Sequence, residues 1–133
     1  MKKNLFNLMA ESLVMVLLFC LAACDSRVLW EDDLYEVHWI DIKSNITLNR
    51  KVVDGVTIGR VDAKIISVGS NNFYVVAKKV DPKTGEISYF YVDKEKDNNY
   101  LNQEEITQGP FSESKYMELK SELNLPELSK VFK

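Results

Sequence analysis

Residues 73–93 read FYVVAKKVDPKTGEISYFYVD and contain the strongest structural signal in this 133-residue chain. Two runs rich in β-branched and aromatic residues, 73–80 and 87–93, flank the hexapeptide 81–86. In that hexapeptide Pro82 presets one turn dihedral and Gly85 permits a positive φ. The segment therefore predicts a β-hairpin. Alternate residues of its second strand face opposite sides of the sheet, with Ile87, Tyr89 and Tyr91 on one side and Phe90 and Val92 on the other.

Shorter runs of the same kind precede the hairpin, and turn signals such as Asp54-Gly55 and the tetrapeptide 69–72 separate them. They predict strands at residues 34–42, 46–53, 56–61 and 63–68. After the hairpin, residues 94–103 are polar and rich in asparagine, so we expect a loop there. Residues 104–108 are a candidate for one more short strand.

The C-terminal part of the chain carries helical signals. Ser112 is a good N-cap, because its hydroxyl can accept a hydrogen bond from an unpaired backbone N–H. Tyr116, Leu119 and Leu123 recur at helical spacing, and Pro126 is predicted to end the helix. Together these elements predict an α+β protein: a five- to six-stranded antiparallel meander or small open barrel with one C-terminal helix.

The N-terminus resembles a bacterial lipoprotein signal peptide. Lys2 and Lys3 precede the apolar run 12–21, which is shorter than the roughly 20 residues of a stable transmembrane helix. The run ends in LAAC at 21–24, which resembles a lipobox. The resemblance implies cleavage before Cys24, a thioether-linked diacylglyceryl group on its sulfur and an acylated amino group. An uncut membrane anchor and a plain secreted protein are the alternatives.

These boundaries predict a signal peptide at 1–23, a lipidated tether at 24–33 and one globular periplasmic domain at 34–133. Asp25 directly follows the cysteine and resembles the sorting signal that retains enterobacterial lipoproteins in the inner membrane. The expected location is therefore the periplasmic face of the inner membrane, with the outer membrane as the alternative. Trp30 in the tether could rest on the bilayer or pack against the domain.

Composition excludes several classes of partner. The chain has 17 basic and 20 acidic residues, and removal of Lys2, Lys3 and Glu11 with the signal peptide leaves a net charge of about −4. Such a domain lacks the concentrated basic face that nucleic acid or anionic lipid requires. Of the two cysteines, Cys20 lies in the signal peptide and Cys24 carries lipid, so the domain has no thiol and no disulfide.

No residue pattern predicts catalysis, a cofactor or a metal centre. His38 is the only histidine, and a zinc site needs three or four protein ligands, so we read it as a residue on the polar face of its strand. The acidic groups at 31–33 and 104–105 have no identifiable opposing carboxylate and read as solvated charges. Residues 93–99, from Asp93 to Asn99, lack the glycine and the final glutamate of an EF-hand, which leaves a polar loop or a weak calcium site.

The aromatic side chains of the hairpin could mark a contact surface. Strands with apolar residues on both faces must be covered on both sides, and the C-terminal helix can cover one of them. If the other face is exposed, Tyr74 and Phe90 are the natural contact residues for a protein partner. Otherwise they fill the core of a curled sheet.

Four short motifs resemble those of a known family. They are CDSR at 24–27, IGRV at 58–61, VGSN at 68–71 and GPFS at 109–112. Together they resemble the small prophage-borne lipoproteins of enterobacteria of the YafY and YfjS kind, over most of the mature chain. The resemblance implies an inner-membrane lipoprotein that affects envelope homeostasis, and it brings no catalytic residues.

We therefore expect a non-enzymatic module that is attached to the membrane through the lipid on Cys24 and binds another envelope protein. Neither nucleic acid nor a small-molecule substrate is expected as a partner. The alternative is a prophage-type immunity or exclusion factor that blocks a toxin or an incoming phage at the inner membrane.

Overall fold

The structure is a computed structural model that describes residues 2–21 and 25–133. Its first element is the helix α1 (Lys2–Leu21), whose side chains at 4–16 are exposed. The predicted cleavage site and the lipidation site Cys24 lie outside the described residues. Neither α1 nor any other helix in the described ranges combines the length and the apolar character that crossing a bilayer requires.

The first sheet is an antiparallel meander in the order β1-β2-β3-β4. Its strands are β1 (Ser26–Glu31), β2 (Tyr35–Ile40), β3 (Thr47–Val53) and β4 (Val56–Val61). The last three confirm the strands predicted at 34–42, 46–53 and 56–61.

Strand β1 departs from the predicted tether at 24–33. It pairs with β2 from Ser26 opposite Ile40 to Glu31 opposite Glu36, and Trp30 packs against the core, as one of the two alternatives for it proposed. The strand forms because β2 offers it a free edge and because Leu29 and Trp30 pack against the core. The folded domain therefore begins only one residue after Cys24, at Asp25, rather than at Leu34.

The second sheet contains the predicted hairpin. Its strands are β5 (Ile65–Ser70), β6 (Tyr74–Val80), β7 (Ile87–Asp93), β8 (Gln108–Phe111) and β9 (Lys130–Val131), in the order β8-β7-β6-β5-β9. The hairpin of β6 and β7 is confirmed, and its register runs without a break from Tyr74 opposite Asp93 to Val80 opposite Ile87. At its turn, Gly85 has a φ of 75° and the Asp81 carboxylate accepts a hydrogen bond from the Lys83 N–H at 2.7 Å.

Two helices follow the hairpin. The strand predicted at 104–108 is wrong: α2 (Gln103–Ile106) is a helical turn, because Asn102 and Glu105 form a capping box, and strand β8 begins only at Gln108. The predicted C-terminal helix is α3 (Glu113–Leu123), and the Ser112 hydroxyl caps it as expected. Its end differs from the prediction, since Asn124 adopts a left-handed conformation two residues before Pro126.

The second sheet lies between two layers, because alternate side chains of β6 and β7 point to opposite faces. Val75, Ala77, Phe90 and Val92 pack against the first sheet in the larger core. Val76 and Tyr89 pack against α3 in the smaller one, which also contains Tyr116 and Leu125. The α+β class with a C-terminal helix is confirmed. The described residues form nine strands rather than five or six, in two sheets that do not close into a barrel.

Tyr116 offers a test of the smaller core. Its ring stacks on Tyr89 at 4.6 Å between centroids, but its buried hydroxyl has no hydrogen-bond partner among the described residues. We expect Tyr116→Phe to leave the free energy of unfolding unchanged or to raise it by about 1 kcal/mol, because no hydrogen bond is lost. Tyr35→Phe is the control, since the Tyr35 hydroxyl donates to the Asp97 carboxylate at 2.7 Å. The control should lose about 1.5–3 kcal/mol in urea denaturation.

Tyr116 also predicts that the stability of the protein depends on pH. Burial raises the pKa of Tyr116 to about 12 from its ordinary value of 10.0. The folded state therefore favours the protonated phenol, and this contribution to stability is complete below pH 10 and is lost as the pH rises toward 12. The wild-type protein should lose stability relative to Tyr116→Phe over that interval. A loss of more than about 1 kcal/mol by Tyr116→Phe at neutral pH would contradict this account of the smaller core.

Candidate binding groove

A concavity of the described chain lies at one end of the first sheet. The β1–β2 turn, the β3–β4 hairpin and Asn99 enclose a groove of about 610 Å³. Strand β1 runs from Ser26 to Glu31, and the groove lies at the Glu31 end. We call it the distal groove, because this end of β1 is the one farther along the chain from Cys24. Its main lining residues are Leu34, Val53 and Val56, which are apolar, and Glu31, Asp33, Glu36, Arg50, Lys51 and Asp54, which are charged.

The apolar part of the distal groove is exposed. Val53 and Val56 pair across the β3–β4 hairpin, and 63% and 51% of their surfaces are exposed. Asp54-Gly55 forms the turn between them, with Gly55 at a φ of 74°. Leu34 contributes a third apolar side chain that is 36% exposed. The groove therefore presents an apolar patch at the tip of the β3–β4 hairpin. An apolar side chain of a partner protein could pack against this patch.

The charged part of the distal groove is acidic. Four carboxylates line it against two basic side chains, and both of the latter make ion pairs within the chain. Lys51 donates to the Glu31 carboxylate at 3.3 Å and to the Asp32 carbonyl. Arg50 donates to Asn99 at 3.0 Å and lies 3.7 Å from the Asp97 carboxylate. The remaining charge favours a partner that brings basic groups.

A buried ion pair between Arg60 and Asp97 lies next to residues that line the groove. Arg60 and the Asp97 side chain are both 0% exposed, and the guanidinium donates two hydrogen bonds to the carboxylate, at 3.0 and 2.8 Å. Arg60 also donates to the carbonyls of Gly59 and Asn98. A β-bulge turns it inward: Leu48 pairs with Val61 and the next residue pairs with Gly59, so Arg60 is the additional residue.

Tyr35 connects the ion pair to the groove. Its hydroxyl donates to Asp97 and lies 3.5 Å from the Arg50 guanidinium. Burial, together with the adjacent Asp97 carboxylate, holds the pKa of Tyr35 well above its usual range. Every charge in this cluster has a partner, and none of its groups is free to act as a nucleophile or a base. Its effect is to hold the loop that follows β7 rigidly against the first sheet.

Two acidic side chains of residues 93–99, the segment that resembles a weak calcium site, make contacts within the chain. Both oxygens of the Asp97 carboxylate accept hydrogen bonds from Arg60. The Asp93 carboxylate accepts one from the Glu95 N–H at 3.0 Å and lies 3.8 Å from Lys96. Within residues 2–21 and 25–133, no group of three or more His, Cys, Asp or Glu side chains could hold a metal ion.

His38 lies on the outer face of the first sheet, where it is only 9% exposed. Its Nδ1 is 2.8 Å from the Glu36 carboxylate, and its Nε2 is 3.2 Å from the Asn49 side-chain amide, which also donates to Thr47. The contacting atom of Asn49 is its side-chain nitrogen, which can only donate, so Nε2 accepts and Nδ1 carries the proton toward Glu36. Both ring nitrogens thus contact side chains of the same sheet. This agrees with the prediction that His38 lies on the polar face of its strand.

Tyr74 and Phe90 do not share a surface. Phe90 is only 8% exposed and belongs to the core between the sheets, which corrects its assignment as a partner contact. It is buried because the first sheet covers the face that was expected to be open. Tyr74 lies on the opposite face, half-buried and edge-to-face against Tyr91 at 5.9 Å. Its role as a contact residue stays a prediction.

Sequence patterns did not predict the distal groove or the buried ion pair beside it. The groove joins two turns and Asn99, which are far apart in the chain. One sequence signal for the buried ion pair was available: Arg60 is the one charged residue of VTIGRV, and a charged side chain is unusual in such a strand unless it is paired.

No family model, no curated protein and no solved structure matches the chain. The family resemblance, the lipidation of Cys24 and the sorting role of Asp25 therefore stay predictions.

Proposed function

We propose that the chain is a lipoprotein of the periplasmic face of the inner membrane, anchored through Cys24, and that it acts as a non-enzymatic module that binds an envelope protein through the distal groove. The observation that carries the proposal is the placement of the groove. It lies at the Glu31 end of β1, whereas Cys24 is two residues from Ser26 at the other end. A six-residue strand separates the two ends by roughly 17 Å.

This placement orients the groove. Because only Asp25 separates Cys24 from β1, an acylated Cys24 would hold the Ser26 end of the first sheet against the bilayer. The distal groove would then face the periplasm, where the domains of other envelope proteins are accessible. Anchoring in the same membrane raises the effective concentration of such a partner, so a groove of modest affinity suffices.

The lining of the groove indicates the chemistry of the partner. Val53, Val56 and Leu34 can receive an apolar side chain, and the surrounding carboxylates favour lysine or arginine beside it. The buried ion pair of Arg60 and Asp97 already holds the loop near Asn99 in place. Binding would therefore cost little conformational entropy in this wall of the groove. A mixed apolar and basic segment of an envelope protein is therefore the proposed occupant.

Site-specific photocross-linking in intact cells tests this proposal. A photoreactive amino acid at Val56 of the full-length, tagged protein should capture one dominant envelope protein. The matched control is Met117 on α3, which is 52% exposed against 51% for Val56 but lies outside the groove. Addition of Val53→Glu should lower the Val56 adduct about tenfold, because it places a charge in the apolar patch.

The same experiment can contradict the proposal. Identical adducts from Val56 and Met117, or only components of lipoprotein export and processing, would exclude a partner specific to the groove. A phage or toxin protein as the dominant adduct would favour the immunity or exclusion factor instead.

A further inference from the structure

The Ser26 end of the first sheet, with the adjoining outer face, presents exposed apolar side chains. We name its three residues Val28, Ile40 and Ile42 the proximal tip; they are 48%, 47% and 61% exposed. Val28 lies on β1, Ile40 ends β2, and Ile42 lies in the β2–β3 turn. Single exposed apolar residues are normal on a protein surface, whereas clusters of them mark contact surfaces. The exposure of these three aliphatic side chains near one another therefore suggests a contact surface.

The proximal tip is tied to the residue that follows Cys24. The Asp41 N–H donates to the Asp25 carbonyl at 2.8 Å, and Ser26 pairs with Ile40. Asp25 is the residue that follows Cys24 in the sequence, so the proposed anchor joins the domain at this turn. The turn is also ordered by its own hydrogen bonds, from the Ile42 N–H to the Ile40 carbonyl at 2.8 Å and from the Asn45 N–H to the Ile42 carbonyl at 2.9 Å.

We propose that the proximal tip inserts into the lipid interface beside the acyl anchor, so that the membrane itself covers Val28, Ile40 and Ile42. This inference rests on the proposed function, because it requires acylation of Cys24. The chemistry of the tip fits a lipid interface: aliphatic side chains enter the boundary between headgroups and acyl chains, and the adjacent Arg27 and Lys43 reach headgroup phosphates. Asp25 and Asp41 balance these two charges, so an anionic lipid is not required.

Insertion would have a mechanical consequence. A domain attached through one lipidated residue can pivot about that residue. Contacts of Ile40 and Ile42 with the same membrane add a second point of attachment and fix the axis of the first sheet. The orientation of the distal groove relative to the membrane is then fixed.

Depth-dependent fluorescence quenching tests the insertion. The mature domain has no cysteine besides the acylated Cys24, so a single new cysteine can carry an environment-sensitive fluorophore. We would label Ile42→Cys in the lipidated protein, reconstituted in phosphatidylcholine vesicles that contain nitroxide-labelled lipid. Val53→Cys is the matched control: it is 63% exposed against 61%, but it lies in the β3–β4 hairpin rather than in the β2–β3 turn. Quenching at Ile42→Cys should exceed that at Val53→Cys about fivefold or more.

The outcomes separate the two proposals. Equal and weak quenching at both positions, in protein that floats with the vesicles, would overturn insertion but leave anchoring intact. Protein without acyl chains on Cys24 would overturn both. The fluorophore itself could enter the bilayer, so Ile40→Glu is added to Ile42→Cys as a second variant. It should remove the excess quenching without affecting flotation, and persistence of the quenching would overturn the role of the tip.

Discussion

Replacement of Asp97 by asparagine is expected to lower the free energy of unfolding by about 3–5 kcal/mol. Arg60 is 0% exposed and makes two of its hydrogen bonds to the Asp97 carboxylate. Without the negative charge, a guanidinium remains buried and uncompensated. Domains of this size are commonly stable by about 5–15 kcal/mol, so the loss is a large fraction of the total. The Tyr35 hydroxyl loses its charged acceptor in the same variant.

Urea denaturation of the purified domain measures this loss. Glu118→Gln is the control, because Glu118 pairs with Lys115 at 3.1 Å on the exposed surface of α3, and it should change the stability by less than about 1 kcal/mol. The double variant Arg60→Met with Asp97→Leu removes both charges together and should be more stable than Asp97→Asn alone. If Asp97→Asn were no more destabilising than Glu118→Gln, the cluster would not support the loop as described.

Replacement of Cys24 by alanine is expected to abolish incorporation of labelled palmitate, which is the largest effect that the account predicts. The thioether and the new amino terminus at Cys24 are the proposed attachment points, so the variant has no acceptor for any acyl chain. It should also retain the signal peptide and migrate as a larger precursor. Several acyl chains hold a protein far more firmly than the marginal binding of one, so the mature wild-type protein should stay in the membrane fraction.

Cys20→Ala is the matched control, because Cys20 lies four residues earlier, in the segment that cleavage is predicted to remove. It should incorporate palmitate and mature like the wild type. Equal labelling of Cys24→Ala and wild type would mean that the lipid is elsewhere or that the resemblance to a lipobox is misleading.

Local signals were sufficient for parts of the fold. The β6–β7 hairpin combines two β-branched and aromatic runs with a proline and glycine turn, so its strands could be predicted without knowledge of their surroundings. The start of α3 was equally local, since the Ser112 hydroxyl caps the helix that its own residues form. In both cases the interactions that define the element lie within a few residues of one another.

Distant partners decided the rest. Residues 26–31 are half polar and follow a segment that resembles a lipobox, so they resemble a tether, and only pairing with β2 makes them a strand. The inward direction of Arg60 depends on a bulge against β3. Phe90 could be taken for a contact residue from its own segment alone. It is buried because the first sheet packs against the face of the second sheet on which Phe90 lies. The distal groove is the extreme case, because no single segment carries its shape.

The attachment of the chain through Cys24 is the claim on which the orientation of the groove and the insertion of the proximal tip both depend. Mass spectrometry of the amino-terminal peptide, from protein extracted out of cell membranes, tests it most directly. The account predicts a mature chain that begins at Cys24 and carries a diacylglyceryl group on sulfur and an acyl chain on the amino group. A chain that still begins at Met1, or an unmodified cysteine at position 24, would contradict it.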